Sequence, residues 1–206
     1  MSNYHQNIKD ALPDPKRVKK IKKDLESKGV KYIYSNWIDF LGSPKTKPMP
    51  ISDFEDLCAG KGPQFAVHSV SFVPELTPAD NDQIPVPDLD SLVICPWDKT
   101  CAWVFADLYW NDKPYDVCPR MTLKRQIKKC EKSDLKFFVG IEPEFFLMKW
   151  DGDKPVKAID RDPIPLRRQA FGYDAEYSID GMNFLKEIID ILNLSLIHIS
   201  EPTRLQ

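Results

Sequence analysis

The stretch Gly140-Ile141-Glu142-Pro143-Glu144-Phe145-Phe146-Leu147 decides how the rest of the chain is read. It lies in a run, Phe137 to Met148, that is apolar except for its two glutamates. A short apolar run rich in aromatics predicts a buried strand. Side chains alternate along a strand, which sets Phe137, Val139, Ile141, Pro143, Phe145 and Leu147 on one face. The other face carries Phe138, Gly140, Glu142, Glu144, Phe146 and Met148. Two neighbouring carboxylates then point the same way, beside a glycine that leaves them room.

Two like charges held this close are costly to bury unless a cation offsets them. Mg²⁺ and Mn²⁺ take hard oxygen ligands, so Glu142 and Glu144 make the start of a divalent-metal site. The same spacing fits an edge strand whose glutamate face is solvated. It also fits a carboxylate dyad sharing one proton. Spacing alone leaves all three open.

The rest of the composition narrows the class. The 206 residues suffice for one sizeable domain or two small ones. A net charge of −2 and a pI near 6.0 give no electrostatic case for nucleic acid. No stretch approaches a membrane span in length, and the N-terminus lacks a signal-peptide core. Cysteines at 58, 95, 101, 118 and 130 form no Cys-x-x-Cys pair, which predicts the reduced thiols of a cytoplasmic protein. The 18 prolines point to a chain rich in strands and loops.

Upstream, Asp14-Pro15 predicts a helix start, with Val18, Ile21 and Leu25 as its apolar stripe and Gly29 as its end. The lysines and arginine between them read as its solvated face. Val30 to Phe40 predicts a strand, followed by a turn at Asp39–Gly42 and a second strand through Met49. Ser52 and Glu55 predict a capping box for a short helix. Ala102 to Leu108 predicts another strand, and Leu123, Ile127 and Cys130 the apolar face of a helix starting at Pro119-Arg120. Trp150–Asp153 predicts a turn, and Asp180 the cap of a helix with Met182, Leu185, Ile188, Ile189 and Leu192 as its apolar stripe.

The glutamate stretch resembles the Gly-x-Glu-x-Glu-Phe-Phe signature that opens the catalytic domain of glutamine synthetases. Asp39-x-x-Gly42, Pro85-Val86-Pro87-Asp88, Cys95-Pro96-Trp97 and Pro119-Arg120-x-x-Leu123 are similar, in order, to other elements of that family. The resemblance implies an α+β chain. An N-terminal tail and helix (1–29) precede a β-grasp domain (30–118), then the start of the catalytic α/β domain (119–193). Residues 194–206 resemble no part of the family and read as the translation of a sequencing adapter, so the chain is expected to be truncated before the family's remaining ligands.

The implied activity is an ATP-dependent ligase that forms a γ-glutamyl amide from glutamate and ammonia or a small amine. The implied cofactors are ATP and Mg²⁺ or Mn²⁺. Glu142 would ligate the metal bridging the ATP phosphates and Glu144 the metal nearer glutamate. Tyr173, in Phe171-Gly172-Tyr173-Asp174, resembles a tyrosine near the family's amine pocket. The implied assembly is a homo-oligomeric ring in which one subunit's β-grasp domain closes its neighbour's site. One departure stands out. Bacterial members carry Phe-Asp-Gly-Ser-Ser where this chain has Phe65-Ala66-Val67-His68-Ser69, and Ala66 cannot take a proton from ammonium. His68 reads either as a substrate contact or as a structural loop histidine. The wording of the loop is more similar to the γ-glutamylmethylamide synthetase branch. A non-catalytic relative of the same fold is the alternative.

Overall fold

The computed structural model describes residues 4–71, 75–136, 138–140, 145–158 and 175–194. The chain packs as two units, Met1–Phe137 and Phe138–Gln206.

The first unit opens with a short helix α1 (Ile8–Ala11) and then α2 (Pro15–Ser27). The Asp14 side chain accepts a hydrogen bond from the Lys16 amide, satisfying one free N–H at the helix start. Gly29 leaves α2 with φ +85°, a conformation that glycine adopts without strain. Val18 and Leu25 bury the predicted stripe.

Strand β1 (Tyr32–Ile38) turns through Asp39–Ser43 into an antiparallel partner, β2 (Pro44–Pro50). Burial selects Ile33, Ser35 and Trp37 as the inward face of β1, with Tyr32 exposed. The expected capping box does not form. Ile51–Asp53 is a 3₁₀ turn, so Ser52 is itself helical and its hydroxyl bonds the Asp53 carboxylate at 2.7 Å. Helix α3 (Phe54–Cys58) follows, then α4 (Val67–Ser71) and β3 (Ile84–Pro87). Short β4 (Val93–Ile94), long β5 (Cys101–Trp110) and short β6 (Lys113–Pro114) complete the sheet.

The sheet runs β2-β1-β5-β3, with β4 and β6 also paired to β5. β1 and β5 are parallel, and β3 is antiparallel to β5. Strand alternation puts Ala102, Val104, Ala106 and Leu108 of β5 on one face and Trp103, Phe105 and Asp107 on the other. Val18 and Leu25 of α2 and Phe54 and Leu57 of α3 pack with Ile33, Ala102 and Val104 in one core. A second core gathers Trp37, Phe65, Val86, Leu108, Tyr109 and Met121.

Helix α5 (Pro119–Lys132) starts at the predicted proline, but its inward face is turned from the expected one. Met121 and Lys124 are buried, whereas Leu123 is 60% exposed. Ion pairs at Arg120 and Lys124, described below, set that rotation.

In the second unit, β7 (Met148–Asp151) and β8 (Lys154–Lys157) form a hairpin across Gly152-Asp153, at the predicted turn. Helix α6 (Ala175–Leu194) begins earlier than expected. Asp180 lies inside it and is no cap, because no proline or glycine between 175 and 180 stops the helix from extending upstream. The Phe145 and Phe184 rings meet edge to face at 5.7 Å.

Of the predicted strand over Phe137–Met148, positions 137 and 141–144 lie outside the described residues, and the described flanks differ from the expectation. Phe138–Gly140 and Phe145–Leu147 lie in no strand, and only Met148 joins β7. Phe138 and Phe146 are exposed. A strand needs a neighbour to take up its backbone N–H and C=O groups. Among the described residues, β7 and β8 pair only with each other, and none pairs with Phe138–Gly140.

Candidate functional site

Glu142, Glu144 and Tyr173 lie outside the described residues. Among the described residues, no group of three or more His, Cys, Asp or Glu is placed to hold a metal ion. Ala66 immediately precedes α4, and its carbonyl accepts a hydrogen bond from the Ser69 amide at 3.2 Å. His68 is half-buried, with its Nε2 3.4 Å from the Ser69 hydroxyl.

The structure does bring together residues of two predicted motifs. β3 runs antiparallel to β5 with Val86 opposite Asp107, and Asp88 follows β3 directly. The Asp88 and Asp107 carboxylates face α5. Arg120 donates from one terminal nitrogen to Asp88 at 2.7 Å and from Nε to Asp107 at 3.1 Å. Lys124, one turn later, bonds Asp107 and lies 3.6 Å from Asp88. The Arg120 guanidinium also sits over the Phe105 ring, 5.7 Å from its centroid. Asp88, Asp107 and Lys124 are all buried.

Among the described residues, two carboxylates and two cations offset one another in this cluster. Its effect is positional. The Pro-Asp element and the Pro-Arg element, widely separated in sequence, become one clamp that ties α5 to the sheet. Sequence reading missed Asp107 and Lys124. The available signals were a lone carboxylate in the apolar run Cys101–Trp110 and a second cation four residues after Arg120.

All five cysteines are free thiols. Burial, reinforced by the charge of Glu55, pushes the Cys58 thiol up to about 12. Burial likewise raises Cys118.

A family model described as the catalytic domain of glutamine synthetase matches residues 116–202. The glutamine synthetase of Rhizobium meliloti is 33% identical over 165 residues, 80% of this chain and 36% of that protein. The chain belongs to the glutamine synthetase family. Another relative in this family, the glutamate–methylamine ligase of Methyloversatilis universalis, is 32% identical over 127 residues, 61% of this chain and 28% of that protein. A solved GmaS/ADP complex superposes with a TM-score of 0.68 at 25% identity, covering 84% of this chain and 38% of that one. Ligand-free GmaS superposes at 0.64 with 21% identity, a likeness of fold alone. The chain therefore spans 36% of the glutamine synthetase it matches and 38% of the solved chain. The family fold here is a mixed α/β arrangement built on a sheet. Among the described residues no helix is long and apolar enough to cross a membrane.

Proposed function

We propose that this chain is part of an ATP-dependent ligase that joins the side-chain carboxylate of glutamate to ammonia or a small amine. The observation that carries this reading is the alignment with ligases over 165 residues, together with the Glu142-Pro143-Glu144 pair inside the family-model match. In the proposed reaction a glutamate carboxylate oxygen attacks the γ-phosphorus of ATP and ADP leaves. The amine nitrogen then attacks the γ-carbon of the acyl phosphate, phosphate leaves, and the nitrogen loses a proton.

Glu142 and Glu144 are assigned as metal ligands. Their donor chemistry, carboxylate oxygen only, fits a hard cation such as Mg²⁺ or Mn²⁺, which takes about six oxygens. A cation there would offset charge on the transferring phosphoryl oxygens. Tyr173 is assigned to the amine pocket. The β2-β1-β5-β3 order with a parallel β1–β5 pair supports the β-grasp reading of residues 30–118. A ring assembly in the cytoplasm completes the proposal.

Glu144→Ala in the complete protein is expected to abolish amide synthesis while leaving the fold intact by circular dichroism. Near-normal turnover would overturn the metal assignment. Initial rates with methylamine and with ammonia test the branch. A clear preference for methylamine is expected, in line with the similarity to a glutamate–methylamine ligase. Ala66 favours one second reading, a non-catalytic family member. ATP binding that depends on Mg²⁺ or Mn²⁺ distinguishes the two, since the non-catalytic protein would show none.

A further inference from the structure

Three side chains near the β1–β2 turn carry buried polar atoms that lack a hydrogen bond. Among the described residues, Trp37 Nε1, Asp39 Oδ2 and both amide atoms of Gln83 have no hydrogen-bond partner. Gln83 is fully buried, and Trp37 and Asp39 are each about 4% exposed. All three line one small cavity of about 10 Å³, together with Leu108 and Tyr115.

The surroundings anchor each of these residues. The Trp37 ring is stacked on Phe65 at 4.0 Å, nearly parallel at 5°. The Gln83 backbone is bridged to Phe65 in both directions, at 2.8 and 3.2 Å. Asp39 is held through its other oxygen, Oδ1, which accepts from the Leu41 amide at 3.0 Å and the Ser43 amide at 2.8 Å. Lys45 Nζ approaches Asp39 Oδ2 only to ion-pair distance, 3.4 Å. Exchanging the oxygen and nitrogen of the Gln83 amide changes nothing, because both are unmatched.

We propose that a single water molecule is a fixed part of this unit, held between Trp37, Asp39 and Gln83. The chemistry selects the occupant. The Trp37 indole can only donate, so the occupant must accept. The Asp39 carboxylate accepts, so the occupant must also donate. Water does both, whereas a metal cation gives Trp37 no acceptor. The cavity is close to the smallest that holds one water, about 10–15 Å³. The water would brace the turn through Asp39 and link it to the strand carrying Trp37 and the bridge at Gln83.

The test combines a crystal structure of the unaltered protein with oxygen-17 relaxation dispersion, which counts long-lived internal waters. We expect density within hydrogen-bond distance of Trp37 Nε1 and Gln83, and one long-lived water fewer in Gln83→Met. An empty cavity, or a direct hydrogen bond from Trp37 to Asp39 or Gln83, would overturn the proposal. So would an unchanged count in a folded Gln83→Met variant. Should that variant fail to fold, magnetisation transfer from water to the Trp37 indole proton in the unaltered protein decides. Transfer supports a held water, and its absence sinks the idea.

Discussion

At the scale of single residues, the clamp between Asp88, Asp107, Arg120 and Lys124 concentrates the electrostatic risk of the fold. A buried pair that loses one partner leaves an uncompensated charge, which costs about 3–5 kcal/mol. Asp107→Ala is therefore expected to lower the urea-unfolding free energy by about 3 kcal/mol. Lys124→Met should cost less, because its apolar stem is kept and Arg120 still reaches both carboxylates. Equal losses in the two variants would argue against Arg120 as the principal partner. Cys58 supplies a pH-dependent effect. Its thiol, pushed up to about 12 from an ordinary 9.0, stays protonated in the folded chain while the unfolded chain loses its proton. Stability is then fully present below pH 9.0 and is lost as pH rises towards 12. Urea midpoints measured across that window should fall, and Cys58→Ala should flatten the slope. The buried thiols should also resist alkylation at neutral pH, with the partly exposed Cys130 labelled first.

At the scale of elements, local chemistry sets where segments begin and turn. The β5–β6 hairpin turns on Asn111 and Asp112, with φ of +50° and +62°. Non-glycine residues pay for that left-handed conformation. Asp112→Gly keeps the Ile8 amide bond to the backbone oxygen of residue 112 and relieves the strain. A gain of about 0.5–1 kcal/mol in unfolding free energy is expected, and a loss would show that the carboxylate has a role of its own. Asp14→Ala removes the hydrogen bond to the Lys16 amide and should cost about 1 kcal/mol by the same measurement. The contrast with Ser52 is instructive. Asp14 caps because Pro15 begins the helix after it, whereas Ser52 is absorbed into a 3₁₀ turn and cannot stand outside its own helix.

At the scale of the molecule, the first unit holds its own cores, from α2 and α3 against the sheet and from Trp37, Phe65 and Met121 around β5. Residues 1–137, expressed alone, should unfold in one cooperative urea transition. A broad, non-cooperative loss of signal would show that the second unit is needed to complete it. This boundary places α5 with the sheet, to which its clamp ties it, while the glutamate stretch falls in the other unit.

Much of the first unit was legible in the sequence. Asp14-Pro15, Gly29, the alternation of β1 and the apolar run of β5 are short-range signals, governed by capping, left-handed φ and strand composition. The family resemblance was legible too, carried by ordered motifs and above all by Glu142 and Glu144. Other features depended on distant partners. Helix α5 was foreseen, but its inward face was not, because ion pairs with carboxylates on β3 and β5 rotate Met121 and Lys124 inward in place of Leu123. Phe138–Gly140 and Phe145–Leu147 belong to a run with the composition of a buried strand, yet composition cannot supply the neighbouring strand that their backbone must bond. The pairing of Asp88 and Asp107 with Arg120 and Lys124, and the unmatched polar groups of Trp37, Asp39 and Gln83, arise only when segments far apart in sequence meet in the folded chain.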